Sequence, residues 1–194
     1  MNNKAYIFIG RSGCGKGTQV DLLVEELKKE ERDIFSLGTG DKFRKFAQGD
    51  NYSNKLSSAI SEQGDLQPEF LAVLMWASTM VENVQGNEDF VLDGVPRKMA
   101  EATILDSALK FYGFRKPILI FMNVSRKWSE ERLAGRGRSD DDINEIKKRL
   151  DWYDTEVAPV VEWYRNNSDY RFLDINGEQT IEEVHREIIG KLNK

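Results

Sequence analysis

The chain has 194 residues, enough for one domain with a substantial buried core. A composition of 40% hydrophobic and 31% charged residues, without an apolar run long enough to span a bilayer, excludes an intrinsically disordered tail and a membrane protein. The net charge of −5 argues against general nucleic-acid binding, and the N-terminal apolar run lacks a signal-peptide cleavage site, so we expect a cytoplasmic or organelle-lumen protein.

Short β-branched or aromatic runs alternate with longer amphipathic segments along the chain. Five runs predict buried strands of a parallel sheet: Tyr6–Ile9, Asp33–Ser36, Phe90–Leu92, Ile118–Phe121 and Arg171–Ile175. Four segments with apolar residues three and four apart predict helices: Gln19–Glu31, Pro68–Asn83, Ala100–Tyr112 and Asp142–Arg165. This alternation predicts a doubly wound α/β fold, whose ligands bind beyond the carboxyl ends of the strands.

Two segments interrupt the alternation. Asp41–Asn83 is largely helical and exceeds an ordinary crossover, which predicts an inserted subdomain. Gly135–Asp142 alternates glycine with arginine before three aspartates and is too polar for the core. Because no linker or repeat divides the chain, residues 1–194 are interpreted as a single domain.

Cysteine and histidine each occur once. Cys14 alone excludes an internal disulfide and a multi-cysteine site, so we expect no structural zinc. His185 lies in a charged helical pattern, far along the chain from any nucleophile that looks activated. A Ser-His-Asp or Cys-His mechanism is therefore disfavoured.

A glycine-rich loop, Gly10–Thr18, follows the first predicted strand and opens the first helix. It matches the phosphate-binding loop through Gly10, Gly15 and Lys16, although Gly17 follows the lysine and the hydroxyl arrives at Thr18. Glycines let backbone N–H groups turn around an anion, and the lysine supplies charge to the terminal phosphates. The loop predicts nucleotide binding, but alone it also fits a GTPase, an ATPase, a kinase or a non-catalytic sensor.

Several segments, in order, resemble those of the adenylate kinase family. Gly15–Gln19 is similar to the family's loop, Leu37–Arg44 to its Ser-Thr-Gly-Asp-x-x-Arg segment and Leu92–Arg97 to its Leu-Asp-Gly-Phe-Pro-Arg segment. Arg132–Leu150 resembles the mobile lid with its following helix, and Asn176–Val184 the C-terminal segment. The resemblance implies a P-loop NTPase-like α/β fold: a five-stranded parallel sheet with helices on both faces, a helical insertion for the nucleoside monophosphate (NMP) and a very short lid.

The resemblance also implies a function and its division within the chain. The expected enzyme moves a phosphoryl group from ATP to an NMP with Mg²⁺, as a monomer that binds nucleotides but neither nucleic acid nor membrane. The NMP-binding subdomain is expected at residues 38–67 and the lid at residues 132–142. A cis peptide bond is expected before Pro96.

Site residues follow from the same resemblance. The implied ATP-binding residues are Gly13, Cys14, Gly15, Lys16, Gly17, Thr18, Arg132, Arg136 and Gln179. The implied NMP-binding residues are Thr39, Arg44, Asp65, Leu66, Gln67, Gly94, Arg97, Glu101, Arg138 and Arg149. Catalytic roles fall on Lys16, Arg97, Arg138 and Arg149, while Mg²⁺ is expected to be held through phosphates and water near Thr18 and Asp93. Arginines suit this task because their planar forks bind phosphate oxygens in pairs and neutralise the spread charge.

The lid departs from the family pattern. It is shorter than the family's short-lid form, and it lacks the cysteines that hold zinc in long-lid relatives. Because a lid excludes water from the phosphates, we expect more futile ATP hydrolysis when no acceptor is bound. Asp140 and Asp141 are expected to orient the lid arginines by salt bridging.

Glu101 is the second departure, at a position where the family reads adenine with glutamine. An ionised carboxylate only accepts hydrogen bonds, so it suits the two adjacent donors of guanine better than adenine. A protonated Glu101, or a base held by backbone groups near Gln67, would restore adenine binding. AMP is favoured as the acceptor, with GMP or a pyrimidine monophosphate as the alternative.

Two other functions are weighed against this enzyme. A non-catalytic regulator would not need the retained cations at the transfer point, namely Lys16, Arg44, Arg97, Arg138 and Arg149. A switch GTPase needs a base-reading Asn-Lys-x-Asp segment, which this sequence lacks.

Overall fold

The computed structural model describes residues 3–135 and 143–194 around a sheet of five parallel strands. The strands are β1 (Ala5–Gly10), β2 (Ile34–Gly38), β3 (Asp89–Asp93), β4 (Ile118–Asn123) and β5 (Arg171–Asn176). Their order in the sheet is β2-β3-β1-β4-β5, so β1 is central and pairs with β3 and β4. Each strand overlaps its predicted run, which confirms the parallel α/β sheet.

Helices fill the connections between the strands. Within the described ranges they are α1 (Lys16–Lys29), α2 (Thr39–Phe46), α3 (Tyr52–Glu62), α4 (Glu69–Asn83), α5 (Met99–Phe111), α6 (Arg126–Ala134), α7 (Ile143–Trp152), α8 (Ala158–Arg165) and α9 (Ile181–Leu192). None of these helices is both long and apolar enough to cross a membrane.

Neighbouring residues of β1 point to opposite faces of the sheet, as strand geometry requires. Ile7 belongs to a buried cluster with Trp76 of α4, while Phe8 belongs to a second cluster with Leu23 of α1 and Ile188 of α9. Both strand residues are fully buried. The sheet is thus covered by helices on both faces, as predicted.

The prediction of one helix over Asp142–Arg165 is wrong, because the helix is interrupted near its middle. A π-helical turn, Tyr153–Val157, separates α7 from α8. Pro159 has no backbone N–H to donate to the carbonyl of Thr155, so the α-helical hydrogen-bond pattern cannot continue through this point. Asp142 itself lies outside the described residues.

The insertion between β2 and β3 consists of α2, α3 and α4. A reciprocal cap begins α3: the Asn51 side chain accepts from the Asn54 backbone N–H, and the Asn54 side chain accepts from that of Asn51. Gln67, just before α4, donates to the Ser57 carbonyl at 2.9 Å and to the Ser61 hydroxyl at 2.9 Å. These bonds tie the end of the insertion to α3.

Candidate active site

The predicted phosphate loop connects the carboxyl end of β1 to the first turn of α1. Gly15 precedes the helix with φ 89°, a left-handed conformation that glycine adopts without steric cost. Lys16 directs its ammonium back over the loop, donating to the carbonyls of Gly10 at 2.7 Å and Arg11 at 3.0 Å. The Lys16 Nζ atom is also 3.5 Å from the sulfur of buried Cys14. The Lys16 ammonium therefore lies within the predicted phosphate loop.

Two further segments border this loop on the predicted ATP side. A Cβ atom added to Gly13 would lie 3.0 Å from the Leu133 side chain, which places α6 against the loop. One added to Gly177 would lie 3.7 Å from the Cys14 carbonyl oxygen, so the segment after β5 also reaches the loop. Gln179, in that segment, donates from its side chain to the Asn176 carbonyl and to Glu187, both at 2.8 Å.

Arg132 lies in the last turn of α6, next to Leu133. Its side chain is exposed, and its guanidinium carbon lies 5.4 Å from the centre of the Trp128 ring. The structure thus places Arg132 on the solvent-facing side of the helix whose Leu133 contacts the loop. Arg136 and Arg138, together with Asp140 and Asp141, lie outside the described residues.

The residues of the predicted acceptor side meet at the backbone carbonyl of Gly94, directly after β3. The hydroxyl of Thr39, at the start of α2, donates to this carbonyl at 2.9 Å, and Nε of Arg97 donates to it at 3.0 Å. Gly94 has φ 69°, and an added Cβ would lie 3.4 Å from the Thr39 hydroxyl and 3.2 Å from Nη2 of Arg97. Only glycine fits there without strain. The bond between Val95 and Pro96 is cis, as expected.

The charges of other predicted site residues act on Arg97. Burial lowers the pKa of its guanidinium below the usual range, although Glu101 and Asp93 oppose this effect. Arg44 and Arg149 add to the lowering, so three arginines from separate elements share one region. Arg44 also pairs with Asp41 in α2. Such a concentration of cations favours binding of a multiply charged anion.

Glu101 is buried in the first turn of α5, with only 3% of its surface exposed. Burial raises the pKa of its carboxyl above the ordinary value, whereas Arg97 and Lys98 act to lower that pKa and Glu69 to raise it. Glu101 is therefore not a solvent-facing residue of this helix. A carboxyl group in this environment holds its proton to higher pH than an exposed one.

The loop before α4 contacts the helix that carries Arg149. Trp152 of α7 donates from its indole to the Gly64 carbonyl at 3.1 Å, and Lys148 lies 4.0 Å from the carboxylate of Asp65. Leu66 is half-buried and Gln67 is buried. The structure thus brings the predicted NMP-binding loop next to α7.

The residues predicted near Mg²⁺ lie at the end of β3 and the start of α1. Asp93 is half-buried, and a Cβ atom added to Gly17 would lie 3.8 Å from its carboxylate. Thr18, in the first turn of α1, is exposed. Carboxylate and hydroxyl oxygens are hard donors that fit Mg²⁺ together with phosphates and water. Within residues 3–135 and 143–194, no group of three or more His, Cys, Asp or Glu side chains could hold a metal ion.

Sequence reasoning missed an arginine in the phosphate loop and its partners. Arg11 pairs with Asp154 at 2.6 Å, and its guanidinium carbon lies 4.1 Å from the centre of the Tyr153 ring. The two partners lie in the π-helical turn, far from Arg11 in sequence. No local pattern could have indicated this pairing.

Comparison with known proteins identifies the family. Residues 8–169 match the family model described as "Adenylate kinase". The chain is 32% identical over 193 residues to "Adenylate kinase" of Leptospira biflexa, covering 97% of this chain and 100% of that protein. It is 30% identical over 192 residues to "Adenylate kinase" of Flavobacterium psychrophilum, covering 96% and 97%. "Adenylate kinase 1" of Nostoc sp. is 31% identical over 186 residues, covering 96% and 97%. The chain therefore belongs to the adenylate kinase family and is a phosphotransferase of the nucleoside monophosphate kinase type.

Proposed function

We propose that this enzyme transfers the terminal phosphoryl group of ATP directly to AMP, with Mg²⁺, and so forms two molecules of ADP. One observation carries the proposal: Thr39 and Arg97 both donate hydrogen bonds to the Gly94 carbonyl. The charges of Arg44 and Arg149 act on Arg97 at the same place. A nucleotide-binding loop and a separate cationic site suit a donor phosphate and an acceptor phosphate.

In the proposed reaction, an oxygen of the AMP phosphate attacks the γ-phosphorus in line while the bond to the β–γ bridging oxygen breaks. Lys16 neutralises the donor phosphates, and Arg44 and Arg97 hold the acceptor phosphate. Arg149, with Arg138 from the lid, stabilises the charge that spreads over the transferred group. Alignment and cations supply most of the acceleration in such reactions, so no side chain has to act as a base.

The metal belongs to the same proposal. Asp93 and Thr18 would hold Mg²⁺ through water and phosphate oxygens beside the phosphate loop. When bound, the ion supplies charge neutralisation and orientation of the phosphates. The oxygen donors of these two residues support this assignment.

The raised pKa of Glu101 supports AMP as the acceptor. A protonated carboxyl has one donor and one acceptor, the same combination that an amide offers to the edge of adenine. GMP remains the second candidate, because an ionised Glu101 would accept from both donors of guanine.

A direct assay tests the proposal. The purified chain is mixed with ATP and MgCl₂ and with AMP, GMP, CMP or UMP in turn, and diphosphate formation is followed by chromatography. We expect the highest kcat/KM with AMP and no transfer after omission of Mg²⁺. Diphosphate formed faster from GMP would reverse the acceptor assignment. ATP binding without diphosphate from any acceptor would favour a non-catalytic regulator.

We also propose that the enzyme acts in the cytoplasm as a monomer that binds neither nucleic acid nor membrane. Both substrate sites are built from one chain, which supports the monomer, and the net charge of −5 disfavours binding to polyanions. Light scattering at assay concentration measures the mass. A mass of 22.3 kDa is expected, and twice that value would contradict the monomer.

A further inference from the structure

Arg11 is anchored on both sides of its guanidinium. Nη2 contacts the carboxylate of Asp154 at 2.6 Å, and the planar group lies over the Tyr153 ring at 4.1 Å. Only 18% of the Arg11 side chain is exposed. Stacking and ion pairing together fix an arginine more firmly than an exposed salt bridge does. The Arg11 side chain is thus held against the π-helical turn by these two contacts.

The backbone of Arg11 is part of the phosphate loop. Its carbonyl accepts hydrogen bonds from the ammonium of Lys16 at 3.0 Å and from the backbone N–H of Cys14 at 3.2 Å. A shift of Arg11 would therefore shift the loop and the lysine that serves the donor phosphates. The residue connects the loop physically to the turn after α7.

The carboxylate of Asp154 has a second partner, Arg126, at the start of α6. Arg126 contacts Asp154 at 3.4 Å and Asp151, near the end of α7, at 2.7 Å. Asp154 thus stands between the phosphate loop and α6, while Arg126 also joins α6 to α7. These two helices carry Arg132 and Arg149.

We propose that Arg11 is a positioning residue for phosphoryl transfer. Through its ion pair with Asp154, it keeps the phosphate loop aligned with α6 and α7. The inference rests on the proposed function, because it supposes that Lys16, Arg132 and Arg149 act on one phosphate chain. Misalignment of reacting groups lowers the rate of transfer more than it weakens ground-state binding.

A double-mutant cycle tests this role in the full chain, with Arg11→Ala, Asp154→Ala and the double variant. Each single change is expected to lower kcat about tenfold while KM for ATP changes less than about threefold. The double variant should be no slower than the slower single variant, because the two residues act as one unit. Arg11→Lys keeps the charge without the planar fork and should recover part of kcat.

Arg165 provides a matched control, because it also combines an ion pair with ring stacking. It contacts Asp174 at 3.1 Å and lies 4.4 Å from the centre of the Phe172 ring. Arg165→Ala should leave kcat within about twofold of the parent. An equal loss of kcat in this control, or additive losses for Arg11→Ala and Asp154→Ala, would overturn the inference.

The parent chain separates this inference from the proposed function. If the parent forms no diphosphate with any acceptor, the proposed function fails. In that case, the rise in melting temperature caused by saturating MgATP replaces kcat as the quantity measured. It is measured for the parent, the two single variants and the double variant. Coupled losses of that rise in the Arg11 and Asp154 variants would still support the link between the loop and the turn, and additive losses would refute it.

Discussion

At the scale of single residues, Glu101 gives the sharpest prediction about the acceptor. Its raised pKa means that the carboxyl is protonated below that pKa and ionised above it. The kcat/KM for AMP should therefore fall as pH rises through the pKa, because the donor to adenine is lost. Glu101→Gln keeps the donor at every pH and should raise kcat/KM for AMP by about tenfold at a pH above the pKa of Glu101.

The control for this prediction is the ratio of AMP to GMP activity across pH. In the parent chain the ratio should fall as the pH rises through the pKa of Glu101, since ionised Glu101 suits guanine. In the Glu101→Gln variant it should stay flat over the same range. A parent ratio that does not change with pH would show that Glu101 does not read the base.

Arg97 gives a prediction about the transfer step. Arg97→Lys keeps a positive charge but loses the planar fork and the Nε bond to Gly94. We expect kcat to fall by about 10²-fold or more, as after the loss of a charge-stabilising donor. Lys110→Ala is the control, because its ammonium pairs with Asp106 within α5 at 2.8 Å. Similar rates for the Arg97 variant and the parent would contradict the assignment.

At the scale of elements, one indole hydrogen bond joins the predicted NMP-binding loop to α7. Trp152→Phe removes the donor to Gly64 but keeps an aromatic ring. The loop should then be held less firmly, and we expect KM for AMP to rise about three- to tenfold, the equivalent of one hydrogen bond. Trp128→Phe is the matched control, because the Trp128 indole N–H is buried without a hydrogen-bond partner among the described residues. An equal rise of KM for AMP in both variants would argue against the link.

The short lid predicted from the sequence at residues 132–142 is the second segment with a testable consequence. We expect ATP hydrolysis without acceptor to be faster than in an adenylate kinase whose lid has the ordinary short length, because less of the phosphate chain is shielded from water. Phosphate release from ATP is measured with AMP omitted, with Lys16→Ala as the control for contaminating hydrolases. A rate equal to that of the longer-lid enzyme would contradict the hypothesis.

At the scale of the whole molecule, nucleotide binding should stabilise the fold. Saturating MgATP at a hundred times its Kd is expected to add about 2.7 kcal/mol to the free energy of unfolding. For a chain of this size each kcal/mol raises Tm by about 2–4 °C. Differential scanning fluorimetry measures the shift, and Lys16→Ala should reduce it. An unchanged Tm in the parent chain would contradict nucleotide binding at the loop.

Much of this architecture could be predicted from local sequence. β1 and β4 consist almost wholly of buried residues, so their apolar runs stand out without any knowledge of their partners. The place of the predicted phosphate loop, between β1 and α1, could be predicted because its glycine and lysine spacing follows a buried strand and opens a helix. The break between α7 and α8 was missed because the apolar periodicity continues through the π-helical turn, although Pro159 marked the place.

The sequence by itself determined the sheet, the loop and the family resemblance, since each depends on residues close together in the chain or on motifs in a fixed order. The tertiary structure decided which distant groups share one environment. It buried Glu101, which raises the pKa of that carboxyl, and it brought Thr39 to the carbonyl of Gly94, 55 residues along the chain. It also paired Arg11 with Asp154. Burial and long-range contacts depend on packing between elements, for which local patterns carry no signal.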